Sequence, residues 1–327
     1  MEASIRAQFG DDVLAEALSR WGIEREKVRE LDGFESFVYD CGERGLIIRI
    51  SHSLHRTAAQ IGAEIDWIDF LAANDVTACK AVPSKRGERV EVLGTGDAYF
   101  TAVVFEKAPG APVVADEWKP PLFERMGRMM GRMHALTRDY VPGHPSFVRH
   151  HWYEDIVGTA ERFLPQSDRV VIDRFNALMT ETQKLPIDDD SYGLVHFDFH
   201  RGNFFVHGDE IWLFDFDDCQ HTWFADDIAI ALFYAVPHDC SRARDREFAR
   251  SFMGHFLEGY AAENDLNRTW LSRIPMFLAR REMDLYIVIH RSLDLDNLDP
   301  WGASFMRERR EKIESEVPYV DIDFGSL

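Results

Sequence analysis

Cysteine is scarce and scattered. Cys41, Cys79, Cys219 and Cys240 make no C-x-x-C pair, which argues against a zinc ribbon or a disulfide framework and leaves reduced, packed thiols as the expectation, Cys219 included. Cations are outnumbered, with 37 Lys and Arg against 57 Asp and Glu, a net charge of −20. Nucleic acid is therefore an unsuitable partner, since phosphate binding needs clustered Lys and Arg. Long apolar runs are missing. The longest, around Ile228 to Val236, is too short for a bilayer, and the opening Met-Glu-Ala-Ser has neither the basic nor the apolar region of a secretory leader. A cytoplasmic protein with no membrane partner is expected, and its oligomeric state is not legible. Neither G-x-G-x-x-G nor a Walker A element occurs.

What is present is ample core material and one dense chemical segment. The 327 residues are 46% apolar and 13% aromatic, enough to bury a substantial core over two domains. Residues 196–217 read HFDFHRGNFFVHGDEIWLFDFD. They bring Asp198, Asn203 five positions on and Asp215 twelve further into one strand-turn-strand stretch. Ile211-Trp212-Leu213-Phe214 has strand composition, and His207-Gly208-Asp209-Glu210 reads as the turn of a hairpin. Two carboxylates and an amide so placed suit a hard cation and proton abstraction from a hydroxyl. Any one of these residues alone would pass as a turn former or cap. The grouping is harder to dismiss, because residues 187–228 hold eleven Asp or Glu and one Arg, a net −10 of the −20, and crowded carboxylates call for a cation among them.

These residues match the working parts of phosphoryl transfer, and the segment resembles the kinase-like small-molecule phosphotransferases: aminoglycoside phosphotransferases, choline kinases, homoserine kinases and stress response kinase A. The family's His-x-Asp-x-x-x-x-Asn, strand, Asp-x-(Asp/Glu/Gly) is filled by His196, Asp198, Asn203, Asp215 and Asp217. The resemblance implies ATP and Mg2+ as cofactors, Asp198 as catalytic base, and Asn203 and Asp215 as magnesium ligands. His196 would be structural support. Asp217, where protein kinases have Gly, is left between metal and substrate.

The first part of the chain has the pattern of a small sheet with helices. Residues 11–20 show helical spacing, and strands are expected at 28–31, 37–40, 46–50, 89–93 and 99–105. The first turn carries Gly33 and Ser36, weak as a phosphate loop on its own. In Leu46-Ile47-Ile48-Arg49-Ile50 a cation interrupts an apolar strand and needs anions if buried. Glu64 lies within the stripe Ile61, Ile65, Ile68 and Leu71 of a helix over 57–73 and is the candidate counter-ion. By resemblance Arg49 stands at the family's phosphate-touching Lys or Arg and Glu64 at its helix Glu. The segment Phe105, Glu106, Ala108 would be the hinge that meets adenine. An edge-strand Arg in solvent and a solvated Glu are the plain alternatives.

The remainder reads as helical. Met126, Met129, Met130 and Met133 repeat as core filler, and His134 is expected to be buried and hydrogen-bonded. Asp226-Asp227 opens an apolar helix, where Asp227 either braces the catalytic loop, as in the family, or merely caps. Helices over about 155–185 and 245–295, with Trp152, Tyr153, Trp223, Phe233, Tyr234 and Tyr286, are candidates to wall a pocket. Trp152, Trp223, His200 and Asp217 are the candidate substrate contacts. Aromatics beside carboxylates suit an ammonium-bearing molecule; plain core is the alternative.

The expected architecture is α+β: a two-lobed protein-kinase-like fold with a small antiparallel-sheet lobe over 1–107 and a larger, mostly helical lobe over 108–327. The expected reaction is ATP- and magnesium-dependent transfer of a phosphoryl group to a hydroxyl of a small, cationic molecule. Three alternatives stand beside it: a protein Ser/Thr kinase of the stress response type, a nucleotide-binding module with little turnover, and a zinc hydrolase. The last would need His196, Asp198 and His200 to alternate along a regular strand and share one face. Arg201-Gly202 directly after them disfavours it.

Overall fold

Side chains alternate across a strand, so an apolar run broken by one charge fixes which face that charge takes. In Leu46–His52 the residues Ile48 and Ile50 join a core with Leu14, Leu18 and Trp21. Arg49 faces the other way. In the computed structural model, which describes residues 3–94, 98–238 and 240–327, this strand is third in an antiparallel sheet. Its strands are β1 (Arg29–Leu31), β2 (Phe37–Asp40), β3 (Leu46–His52), β4 (Ala81–Val82), β5 (Glu91–Leu93) and β6 (Phe100–Glu106). The order is β1-β2-β3-β6-β4, with β5 also paired to β6. Val103 of β6 joins Ile61 and Ile65 in a second core on the face opposite Ile48.

Helices in this part are α1 (Ala3–Arg6), α2 (Asp11–Trp21) and α3 (Ala58–Ala73). Gly22, left-handed at φ 64°, stops α2, as glycine does at a C-cap. Thr57 and Gln60 form a capping box at the start of α3. The chain divides into two compact units, the first made of Met1–Ala111, Tyr140–Arg149 and Phe205–Asp217. Residues 140–149 attach through Asp66 of α3, which accepts from Tyr140 Oη at 2.7 Å and from the Gly143 N–H at 2.8 Å. The hairpin of β8 (Phe204–His207) and β9 (Glu210–Leu213), its turn at left-handed Gly208, attaches through Leu213, whose N–H and C=O bond Thr77 and Cys79.

The second unit, Pro112–Asp139, His150–Phe204 and Asp218–Leu327, is mainly helical. Its helices are α4 (Pro120–Thr137), α5 (Thr159–Phe163), α6 (Arg169–Thr182), α7 (Phe224–Ala235), α8 (Ala243–Ala261), α9 (Ile274–Ser292), α10 (Pro300–Met306) and α11 (Arg309–Glu314). Two short strands that sequence reading passed over, β7 (Tyr192–Val195) and β10 (Gln220–Trp223), pair antiparallel. α11 begins after left-handed Glu308, which separates it from α10. Met126, Met130 and Met133 are fully buried, the filler role their spacing implied. Among the described residues no helix is long and apolar enough to cross a membrane.

Glycines set the fit of α4 against α8. A Cβ on Gly127 would stand 1.8 Å from Phe256 O, and one on Gly259 would stand 1.9 Å from Glu124 O. The two backbones touch. Replacing Gly127 or Gly259 by Ala should lower stability by about 1–3 kcal/mol or more, because a carbonyl cannot rotate aside as a side chain can. Gly254 of α8 has nothing within 4 Å of its added Cβ, so Gly254→Ala should raise stability by up to about 1 kcal/mol. Urea unfolding midpoints of the three variants check the opposite signs.

Candidate functional site

The first unit carries a buried arginine with a full set of anions. Arg49 meets Glu64 of α3 through two bonds, Nη1 to Oε1 at 2.9 Å and Nη2 to Oε2 at 2.6 Å. The expected pair forms, and it is buried on both sides. Arg49 Nη1 also lies 3.8 Å from Asp215 Oδ1 and 3.6 Å from Asp217 Oδ1, and its guanidinium covers the Phe105 ring at 5.1 Å. Burial alone would discharge it, but Glu64, Asp217 and Asp215 hold it protonated. Arg49 Nε is buried and has no hydrogen-bond partner among the described residues.

Asp215 and Asp217, two residues apart, differ in surroundings. Asp215 is left-handed at φ 61° with its side chain 53% exposed. Phe216 beside it is buried edge-on against Trp67 of α3 at 5.6 Å. Asp217 is buried and enclosed by basic side chains: His55 Nε2 at 2.5 Å from Oδ2, Arg49 near Oδ1, and Arg56 and Arg149 donating to its carbonyl oxygen. Burial would raise its carboxyl, yet His55, Arg49 and Arg56 hold it well below the usual range. Neither His55, Arg56 nor Arg149 had a pattern in the sequence to mark it as a partner of Asp217.

The phosphate-loop and hinge candidates have modest geometry. A Cβ on Gly33 would stand 2.2 Å from Ser36 O, so glycine is required by the closeness of that turn. Ser36 Oγ pairs with Ser51 Oγ at 2.8 Å. Glu106 ends β6 with its N–H donated to Lys80 O, and Ala108 is buried.

The second unit holds the His-x-Asp-x-x-x-x-Asn loop. β7 stops at Val195, and Phe197 is left-handed at φ 65°. That turn removes the regular strand on which the zinc reading depended. His196 is fully buried, and its Nδ1 accepts the Asp198 N–H at 3.2 Å. Among the described residues no group of three or more His, Cys, Asp or Glu is arranged to hold a metal. The Phe197 N–H is held by Asp227 Oδ1 at 2.9 Å, and Asp227 Oδ2 meets His134 Nε2 at 3.0 Å. Asp227 braces the loop. His134 is buried and bonded on both nitrogens, with Tyr260 Oη at 2.9 Å from Nδ1.

Asp198 is fixed from several sides. Asn203 Nδ2 donates to its Oδ2 at 2.7 Å and to its carbonyl at 3.0 Å. His200 Nε2 lies 3.3 Å from Oδ2, and Arg281 Nη2 of α9 lies 3.4 Å from Oδ1. Burial pushes the carboxyl up, but His200, then Arg281 and His196, hold it well below the usual carboxylate range. The His200 ring lies tilted against Tyr234 at 4.6 Å, beside the acid. Trp152 and Trp223, read as substrate contacts, are core instead, at 3% and 0% exposure. The Trp223 indole donates to Pro186 O, and Arg280 lies over Trp152. Arg281 escaped the sequence reading because a cation within a helix carries no spacing signal.

The buried pair of the first unit gives a direct test. Arg49→Met should cost about 3–5 kcal/mol in urea unfolding, since it strands a buried carboxylate. Arg49→Met together with Glu64→Gln should cost less; a double variant no more stable than the single would refute the pairing account.

Known proteins resemble this chain in sequence and in fold. The family model APH, phosphotransferase enzyme family, matches residues 27–266. Amicoumacin kinase of Bacillus subtilis (strain 168) is 36% identical over 325 residues, covering 97% of this chain and 96% of that protein. A solved structure of amicoumacin kinase in complex with AMP-PNP, Ca2+ and Ami superposes with a TM-score of 0.92 at 36% identity, over 100% of both chains. The microcompartment-associated aminopropanol kinase superposes at 0.69 with 22% identity, over 97% of this chain and 94% of that one, a likeness of fold. The fold is the two-lobed kinase-like one, and the chain belongs to the APH phosphotransferase enzyme family.

Proposed function

We propose that this phosphotransferase moves the γ-phosphoryl group of ATP, with magnesium, to a hydroxyl of a small amine-bearing molecule of the amicoumacin kind. The observation that carries the assignment of roles is the Asp198–Asn203 contact. Asn203 commits its Nδ2 to Asp198, which leaves its carbonyl Oδ1 as an oxygen ligand for a hard cation. Asp198 keeps its negative charge and serves as the base that orients the acceptor hydroxyl and takes its proton.

Asp215 supplies the second metal ligand, and its half-exposed carboxylate suits that task better than the enclosed Asp217. Arg49 is aimed at the phosphates, with Nε still without a bond partner and Glu64 holding the fork in place. Magnesium, when bound, would neutralise charge on the phosphates. Gly33 and Ser36 shape the turn over the nucleotide, and Phe105, Glu106 and Ala108 form its base-side edge. The amine of the acceptor is suggested by the −20 net charge, which favours cationic ligands. The amicoumacin relative, which aligns along almost the whole chain, supports the choice of first acceptor.

Two measurements test the reading. Magnesium ATP at about a hundred times its Kd should stabilise the wild type by roughly 2.7 kcal/mol, seen as a melting shift. Asp215→Ala should lose that shift; a shift retained in the variant would remove Asp215 from the metal site. The second is pH dependence. A carboxyl held below its ordinary value stays ionised on the neutral side, so Asp198 should lose its charge only in strong acid. Turnover of amicoumacin should show no acid limb with a midpoint near about 6, the place where a raised catalytic carboxyl would titrate. An acid limb with its midpoint at that pH in the wild type would contradict the assigned state of the base.

A further inference from the structure

We propose that Arg281 of α9 is a positioning residue for Asp198, fixing the plane of its carboxylate for phosphoryl transfer; this rests on the role of Asp198 proposed above. The two oxygens of Asp198 are held differently. Oδ2 receives Asn203 Nδ2 at 2.7 Å and has His200 Nε2 at 3.3 Å. Oδ1 has Arg281 Nη2 at 3.4 Å. Removing Arg281 would therefore free one end of the carboxylate to swing while the other stayed tethered.

The guanidinium is itself held by more than Asp198. Its Nη2 donates to Tyr234 Oη at 2.7 Å, its Nη1 to Asp284 Oδ2 at 3.2 Å, and it lies over the rings of Tyr234 at 5.4 Å and Phe197 at 5.7 Å. A planar fork can serve three acceptors at once, which a lysine ammonium on a flexible stem does less well. The preceding residue acts on the same turn. Arg280 is bonded to Asp226 and also lies over the Phe197 ring at 5.7 Å. Consecutive arginines of one helix thus grip the left-handed residue that precedes the base.

Stability alone is a poor reason for this arrangement. Arg281 Nε is buried and has no hydrogen-bond partner among the described residues, and such an orphan donor weakens the fold. Phosphoryl transfer, by contrast, depends on alignment more than on strength of the base. An interaction that orients the acid at the expense of an unsatisfied N–H is better explained by the reaction than by folding.

The test uses the full-length protein as wild type, Arg281→Met, Arg281→Lys and Asp198→Ala. Turnover of magnesium ATP is followed with amicoumacin as acceptor and with water alone, beside melting curves with and without nucleotide. Arg281→Met should lower kcat about 10- to 100-fold while KM for magnesium ATP stays within about twofold, the pattern of lost alignment without lost binding. Arg281→Lys should recover part of kcat. A Met variant with wild-type kcat beside an inactive Asp198→Ala would overturn the role of Arg281 alone. So would kcat per folded molecule unchanged in a Met variant that merely melts lower. Full turnover in Asp198→Ala would overturn the base assignment and the role of Arg281 with it.

Discussion

Two residues of the candidate site, Phe197 and Asp215, adopt a left-handed backbone at φ 65° and 61°, and the chemistry proposed for this enzyme depends on both turns being kept. For residues other than glycine that conformation costs on the order of 1–2 kcal/mol, so each needs neighbours that over-determine it. Phe197 has Asp227 on its N–H and two arginines over its ring. Asp215 has Phe216 seated on Trp67 and, one residue further, Asp217 held by four basic side chains. In each unit the strained residue is pinned by contacts immediately beside it.

Charge is managed in the same local fashion. The chain carries twenty more acids than bases, yet buried acids of the site have arginines in contact: Glu64 and Asp217 with Arg49, Asp198 with Arg281, Asp226 with Arg280. A carboxylate taken out of water without such a partner would neutralise itself and lose its use.

Much of the fold was legible because it rests on periodicity. β2 (Phe37–Asp40), β3 from Leu46, α2 and α3 fall where alternation and helical spacing put them, and the pairing of Arg49 with Glu64 followed from two charges in apolar stripes. β4, β7 and β10 were missed: β4 is only two residues long, β7 carries a glycine and β10 is mostly polar, so none stands out from loop. The motif residues could be found because they are near in sequence. His55, Arg149 and Arg281 could not, since each is tied to the motif only by the folded chain, 162, 68 and 83 positions from its partner. The tryptophans misled for a physical reason: composition reveals that rings and acids are neighbours in sequence, but not that an arginine already covers the ring.

The amide at position 203 has a consequence for what this loop can tolerate. Nδ2 of Asn203 stands 2.7 Å from a carboxylate oxygen of Asp198, a separation at which a second carboxylate would bring repulsion where there is now a donated proton. An exchange of one atom group, NH2 for O, would turn the bond that orders the loop into the force that opens it. In a chain where acid is the commonest answer to a polar position, this is a place where only the uncharged analogue of the acid can stand.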